Sequence, residues 1–273
     1  MPLKNKKIGV IGTGNMGEAL IGGLIHSRSS SPDDIMCSDV REEKLKKISE
    51  KYGISTTKSN IEIIKHAEII VYAVKPQIIA SIFEETAPYL DMSKLVISIA
   101  AGVSLSFIEK AFKKDLRIIR VMPNIAAFVK EAATAIASGK HAKNNDIKIA
   151  QSIFNSVGKT VIVEEDLMDA VTGLSGSGPA FVFAFIEALA EGGVFMGLSH
   201  ETALALAIQT VYGAAKLALT TQQHPAVLRD KVTSPGGTSS HGLAEMEKHG
   251  FKFTVIRAVE QATVRSRELG EGK

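Results

Sequence analysis

Lys7-Ile8-Gly9-Val10-Ile11-Gly12-Thr13-Gly14-Asn15-Met16-Gly17 decides the fold of this 273-residue chain. The apolar run from Lys7 to Gly12 reads as a short buried strand. Glu18-Ala19-Leu20-Ile21-Gly22-Gly23-Leu24-Ile25 reads as a helix. Between them the glycines fall in GxGxxG spacing. Gly12 allows a tight turn, Gly14 lets a pyrophosphate approach the backbone, and Gly17 lets the helix pack on the sheet. The motif alone is weak and also fits a merely glycine-rich turn. Its strand–turn–helix context points to dinucleotide binding, with Asn15 and Met16 at the helix start as further contacts.

Three more apolar runs end in small or kinked residues. Glu68 to Val74 ends at Lys75-Pro76. Leu95 to Ile99 ends at Ala100-Ala101-Gly102-Val103, and Arg117 to Val121 ends at Met122-Pro123-Asn124. Ligands of doubly wound sheets bind outside the carboxyl ends of the strands. Ala73, Val74, Lys75, Pro76, Ala100, Ala101, Gly102 and Asn124 are therefore candidate cofactor contacts. Lys75 fits either a ligand contact or a plain strand end. The second strand, Ile35-Met36-Cys37-Ser38, ends at Asp39. An acid there commonly holds the ribose hydroxyls of NAD, whereas Ser38 and Arg41 beside it suit a 2′-phosphate. Arg41 also fits a solvated first-turn position of the next helix.

Organisation along the chain is two-part. Strand-like and helix-like segments alternate to about residue 163, the signature of βαβ units. After Glu164-Glu165-Asp166 the strands cease. Helices are expected at about 178–196, 199–221, 224–232, 240–249 and 252–269. The fold class is an N-terminal α/β doubly wound (Rossmann) domain over 1–164 and an all-α C-terminal domain over 165–273. Stretches such as Ala180-Phe181-Val182-Phe183-Ala184-Phe185-Ile186 are apolar on more than one face. So many wide apolar faces call for association with a second subunit.

Composition bounds the function. The net charge of +3 gives no reason to expect nucleic acid. The lysines at 44, 46 and 47 read as a solvated face. Cys37 is the single cysteine, expected in the core, so no intrachain disulfide forms and a reducing compartment is implied. No stretch reads as a membrane span, because the longest apolar helix carries Glu187 and Glu191. With no signal-peptide pattern, a cytoplasmic location is expected. The seven histidines lack paired-ligand spacing, so no metal site is expected.

Near the end stands Val232-Thr233-Ser234-Pro235-Gly236-Gly237-Thr238-Ser239-Ser240-His241-Gly242-Leu243. Two glycines and three hydroxyl residues precede a helix. Free N–H groups and hydroxyls at a helix start suit a small carboxylate, and equally an ordinary Ser/Thr cap. A second Gly/Ser turn, Gly173-Leu174-Ser175-Gly176-Ser177-Gly178, runs into the first long helix.

These motifs together resemble the pyrroline-5-carboxylate reductase family over nearly the whole chain. The Gly12–Gly17 loop is shared with many dehydrogenases. The segments from Asp169 to Ala180 and from Ser234 to Leu243 are nearly specific to the family. The resemblance implies hydride transfer from NADPH, with NADH often tolerated, to the imine of 1-pyrroline-5-carboxylate, giving proline. It implies helical domains interlocked in a homodimer, and dimers that commonly assemble into decamers. Ser239 stands where the family usually has Thr, its hydroxyl meeting the ring nitrogen. The N–H groups around Gly237, Thr238 and Ser239 form the implied carboxylate cradle, with Ser234 lining the pocket. Asn60 matches a position near the adenosine ribose, and also fits a helix N-cap. Ile125-Ala126 replace a usual Thr-Pro, and Gln222-Gln223 stand where an acid often precedes His224-Pro225. Two rival functions are a reductase of the same plan acting on a hydroxy acid or another imine, and a non-catalytic cofactor sensor. The first long helix, about 178–196, lacks the Lys that hydroxy-acid enzymes present, and the 234–240 cluster disfavours a sensor.

Overall fold

The computed structural model describes residues 3–270. Continuous apolar runs make strands that are covered on both faces. Strands β1 (Ile8–Ile11), β4 (Ile69–Tyr72) and β5 (Leu95–Ser98) are buried at every position. With β2 (Ile35–Ser38), β3 (Ser55–Thr57), β6 (Arg117–Met122), β7 (Ala132–Ser138) and β8 (Gly158–Ile162) they form one sheet in the order 3-2-1-4-5-6-7-8. β1 to β6 run parallel; β7 is antiparallel to β6, with Arg120 opposite Ala137, and β8 is parallel to β7. The strand order reverses at β1, which places the switch point at the Gly12 loop.

Helices α1 (Asn15–His26), α2 (Glu42–Tyr52), α3 (Asn60–His66), α4 (Pro76–Thr86), α5 (Leu105–Phe112) and α6 (Asn144–Phe154) cover the sheet. Each strand's alternation feeds two cores. Val10, Leu20, Leu24 and Phe154 lie in one. Ile11, Tyr72, Phe83 and Phe112 lie in the other, where the Tyr72 and Phe83 rings meet edge-on at 4.9 Å and those of Phe83 and Phe112 at 4.7 Å. The Tyr72 hydroxyl lies 2.8 Å from Thr86 Oγ1, which settles its polar end. Cys37 is fully buried, and burial together with the Asp39 charge pushes its thiol up to about 12. It is an inert core residue.

Packing divides the chain elsewhere than the change of pattern at 164/165. One compact unit runs to Ser177 and resumes at Gln261; the other spans Gly178–Glu260. Within the first, α7 (Met168–Val171) leads into a π-helical turn over Thr172–Gly176, where Ser177 N–H donates to Thr172 O at 2.8 Å. A Gly/Ser turn was expected there; the backbone instead keeps winding. Asp169 accepts from Ser266 Oγ, 97 residues away, at 2.6 Å.

The second unit holds α8 (Gly178–Phe195), α9 (His200–Thr221), α10 (Pro225–Lys231), α11 (Thr238–Lys248) and the start of α12 (Phe251–Gly270). Its buried residues are Ala190, Ala203 and Ala207 alone. Phe183, Phe195, Leu219 and Phe253 are more than half exposed. Two helical stretches, Glu165–Phe195 and His200–Thr221, are long and apolar enough to cross a membrane by length and composition, contrary to the expectation from sequence. Winding continues through the π turn and lengthens the first stretch to 31 residues, whereas the second is α9 alone.

Candidate functional site

Three glycines of the first loop do three different jobs. Gly12 has φ +98°, and a Cβ there would sit 2.6 Å from the Ala73 carbonyl oxygen. A Cβ on Gly17 would stand 2.1 Å from the Gly12 carbonyl oxygen, so α1 can close on the loop only without one. Gly14 is different: a Cβ there would meet no protein atom within 4 Å. Gly14 is the N-cap of α1, and no side chain caps that helix. Its first N–H groups and its dipole are thus left for an anion.

Gly14 opens into a cavity of about 450 Å3 lined also by Asn15, Met16, Arg41, Lys44, Lys75, Ala100 and Pro123. A neighbouring cavity of about 320 Å3 shares Gly14, Arg41, Ala73, Val74 and Lys75, and extends to Ser38, Asn60 and Ile78. Gly12 and Val40 line the second cavity, Pro76 and Ala101 the first. Gly17, Gly102 and Asn124 line neither. Gly102 turns the chain with φ +73°. The Asn124 side chain is spent within the protein. Its Oδ1 accepts from Ala126 N at 3.2 Å, and its Nδ2 donates to Ser175 O at 3.0 Å, beside the π turn.

The end of β2 is tightly tied. Asp39 Oδ2 accepts from Thr13 N at 3.1 Å and from Thr13 Oγ1 at 2.8 Å. Its Oδ1 accepts from Arg41 N at 3.0 Å and from Arg41 Nε at 3.3 Å. Burial pushes the carboxyl up, but the hydrogen bonds from Arg41 and Thr13 outweigh it and hold it below the usual carboxylate range. Ser38 Oγ donates to Asn60 Oδ1 at 2.7 Å, and Asn60 Nδ2 donates to Glu85 at 3.0 Å. Asn60 is not the helix cap; Ser59 caps α3 by accepting from Glu62 N.

Several lining residues were not expected from the sequence, among them Val40, Ile78 and Lys44. Val40 is 87% exposed and Ile78 51%, two apolar side chains left uncovered at the second cavity, where a flat ring could lie. Lys44 stands three residues after Arg41, and makes no ion pair among the described residues. The signal was available: i and i+3 share a helix face.

The 234–243 segment forms the start of α11. Gly236 has φ +69°, and Gly237 is the N-cap, without a side-chain cap. A Cβ on Gly237 would stand 2.3 Å from Ser234 Oγ. Ser240 Oγ bonds back to Gly237 O at 2.8 Å. Thr238 and Ser239 follow the cap, and their hydroxyls have no hydrogen-bond partner among the described residues. The Ser/Thr-cap alternative therefore fails: a glycine occupies that position. Upstream, His224 Nδ1 accepts from Ala226 N and caps α10. Gln222 closes α9 in a left-handed conformation, and Gln223 accepts from Lys231 Nζ at 2.7 Å.

A doubly wound sheet with an open, uncapped glycine loop, joined to helices with a wide uncovered apolar face, defines a two-part nicotinamide-dinucleotide oxidoreductase. Residues 7–102 match the family model described as NADP oxidoreductase, coenzyme F420-dependent, and residues 165–269 match pyrroline-5-carboxylate reductase dimerisation. The chain is 49% identical to the pyrroline-5-carboxylate reductase of Methanosarcina acetivorans, over 98% of this chain and 100% of that one. It superimposes on the structure of a pyrroline-5-carboxylate reductase from Coxiella burnetii with a TM-score of 0.93 at 38% identity, covering 97% and 98% of the two chains. The Plasmodium falciparum pyrroline carboxylate reductase with NADP bound gives a TM-score of 0.87 at 36% identity, again covering 97% and 98%. The chain belongs to the pyrroline-5-carboxylate reductase family.

Proposed function

We propose that the protein reduces 1-pyrroline-5-carboxylate to L-proline with NADPH, NADH serving less well, as the last step of proline biosynthesis. The observation that carries the reading is the glycine-capped start of α11, with the Ser239 hydroxyl free beside uncapped N–H groups. The cofactor fits the sheet unit: the Gly14 cradle is open, α1 is uncapped, and Arg41 and Lys44 supply positive charge at the far end. In this reading Gly12, Gly14, Asn15 and Met16 hold the pyrophosphate. Ser38, Arg41 and Asn60 take the adenosine end, and Ala73 to Pro76 with Ala100 and Ala101 line the remainder. Gly17, Gly102 and Asn124 act by shaping the backbone around it.

Reduction of the imine needs a hydride at the ring carbon double-bonded to nitrogen, on the side of the nitrogen away from the carboxylate-bearing carbon, and a proton on the ring nitrogen. The reduced nicotinamide, when bound, supplies the hydride. The rest is binding and orientation, with no covalent nucleophile required. The N–H groups at Thr238 and Ser239 hold the substrate carboxylate; that of Gly237, expected to join them, instead donates to Ser234 O at 3.0 Å and fixes the turn. The Ser239 hydroxyl hydrogen-bonds the ring nitrogen and steadies its charge. Support for the homodimer comes from the uncovered apolar faces of α8, α9 and α12; a decamer built from such dimers is the further expectation. The change of element type at 164/165 is the proposed border between cofactor and substrate domains. A single buried cysteine fits the reducing cytoplasm, and the long apolar stretches in α8 and α9 are read as dimer surface and not as membrane spans.

The test is NADPH oxidation by the purified protein with pyrroline-5-carboxylate, followed by absorbance, against a 2-hydroxy acid run in reverse with NADP. Turnover with the imine alone is expected. Turnover with the hydroxy acid, or cofactor binding with no turnover, would reject the reading in favour of a different reductase or a sensor.

A further inference from the structure

An acid at the end of the second strand ordinarily offers its carboxylate to the ribose hydroxyls and so favours the unphosphorylated dinucleotide. Asp39 stands at that place but its capacity is already used. A carboxylate has about four acceptor sites on its two oxygens. Here Oδ2 takes two hydrogen bonds from Thr13 and Oδ1 takes two from Arg41. The side chain is only 7% exposed, and Thr13 is buried. Nothing remains for a diol unless one of these four bonds breaks.

The donors also matter. Thr13 lies between Gly12 and Gly14, so one oxygen of Asp39 anchors the phosphate loop. The other fixes Arg41 through its backbone N–H and Nε. A guanidinium carries five N–H donors in a rigid fork. Holding it by Nε leaves the four Nη–H donors free, and no other ion pair of Arg41 exists among the described residues. Arg41 lines both cavities, and Lys44 lines one of them beside it.

We propose that Asp39 is a positioning residue for a 2′-phosphorylated dinucleotide: it holds the Arg41 fork ready for the phosphate and ties that fork to the glycine loop, and is no ribose acceptor. This rests on the dinucleotide site proposed above. The acid that elsewhere selects against the phosphate here selects for it, because its charge is neutralised by the arginine it orients.

The experiment compares binding of NADPH with NADH, and of 2′,5′-ADP with 5′-AMP, to the full-length protein by fluorescence and calorimetric titration. In Asp39→Asn the amide cannot accept at both ends, so one set of bonds is lost. Affinity for NADPH and 2′,5′-ADP should fall roughly 10-fold more than affinity for NADH and 5′-AMP, the weight of one charge-assisted hydrogen bond. In an Arg41→Ala background the same substitution should no longer distinguish the two pairs. Arg41→Lys keeps the charge but lacks the Nε anchor, and should also lose most of the discrimination; it leaves the Asp39 carboxylate intact should Asp39→Asn fold poorly. Weakened NADH binding with NADPH unchanged or tighter in Asp39→Asn would overturn the proposal and restore the ribose role. Full discrimination by Arg41→Lys would overturn it too. If the unaltered protein binds neither dinucleotide, the cofactor reading itself fails, which is a separate result.

Discussion

The sheet unit and the helical unit satisfy their apolar surface in opposite ways. In the first, three neighbouring strands are buried at every position and a cluster of three aromatic rings fills one face. In the second, 22-residue α9 packs against α8 through little more than alanines, and the large side chains point away from any cover in the single chain. One region closes its own core. The other carries half of a core, to be completed by another copy through the dimerisation domain. Hydrophobic composition alone does not separate the two; what separates them is which large residues find partners within the chain.

That contrast can be broken most forcefully on the helical side. Leu206 lies on α9 and is 55% exposed. A buried leucine contributes about 1.5–3 kcal/mol, and a twofold interface counts each substitution twice. Leu206→Asp should therefore cost association about 3–6 kcal/mol and shift the mass in light scattering towards monomer, with the sheet unit still folded. Retention of the full assembly mass would show that this face is not the interface. On the sheet side, Phe83→Ala should cost about 3–5 kcal/mol of stability in denaturant melts, with dimer mass unchanged while the protein stays folded. A cost below 1 kcal/mol would mean that the aromatic cluster is not tightly packed.

Two finer substitutions separate cofactor binding from substrate chemistry. Gly14→Val adds side-chain volume where no protein atom stands within 4 Å. Melting temperature should hold, while NADPH binding weakens by about 1–3 kcal/mol, as overpacking does. Normal NADPH titration by this variant would remove the loop from the site. Ser239→Ala should lower kcat/KM by roughly 10- to 100-fold, about 1.4–2.7 kcal/mol, with NADPH affinity unaltered and Ser239→Thr retaining most activity. Unchanged turnover in the alanine variant would leave Ser239 a bystander.

The parts legible in the sequence are those fixed by local sterics. Gly12, Gly14 and Gly17 each declare a role because strand, turn and helix follow one another within a dozen residues. The five helices after Gly178 follow from apolar runs and their stops. What the sequence hid depends on distant partners. Asp39 looks like a ribose ligand until Thr13, 26 residues away, is found to use half of it. The π turn at Thr172–Gly176 has the composition of a loop, and the Asn124 amide that meets its carbonyl comes from 51 residues upstream. Three hydroxyl residues in a row made any of them a credible helix cap, and only the backbone reveals that Gly237 takes that position and leaves Ser239 free.

The return of the chain to the sheet unit at Gln261 sets an order of events during synthesis. A ribosome extrudes the eight strands first, then every residue of the helical unit, and only afterwards the segment whose Ser266 reaches back to Asp169. The nascent sheet unit must therefore wait, lacking its last helical piece, while a long stretch of uncovered apolar helix is already outside the exit tunnel. Domains usually fold as units in the order they emerge. Here the earlier unit is finished last, because the segment from Gln261 that belongs to it follows the helical unit in the chain.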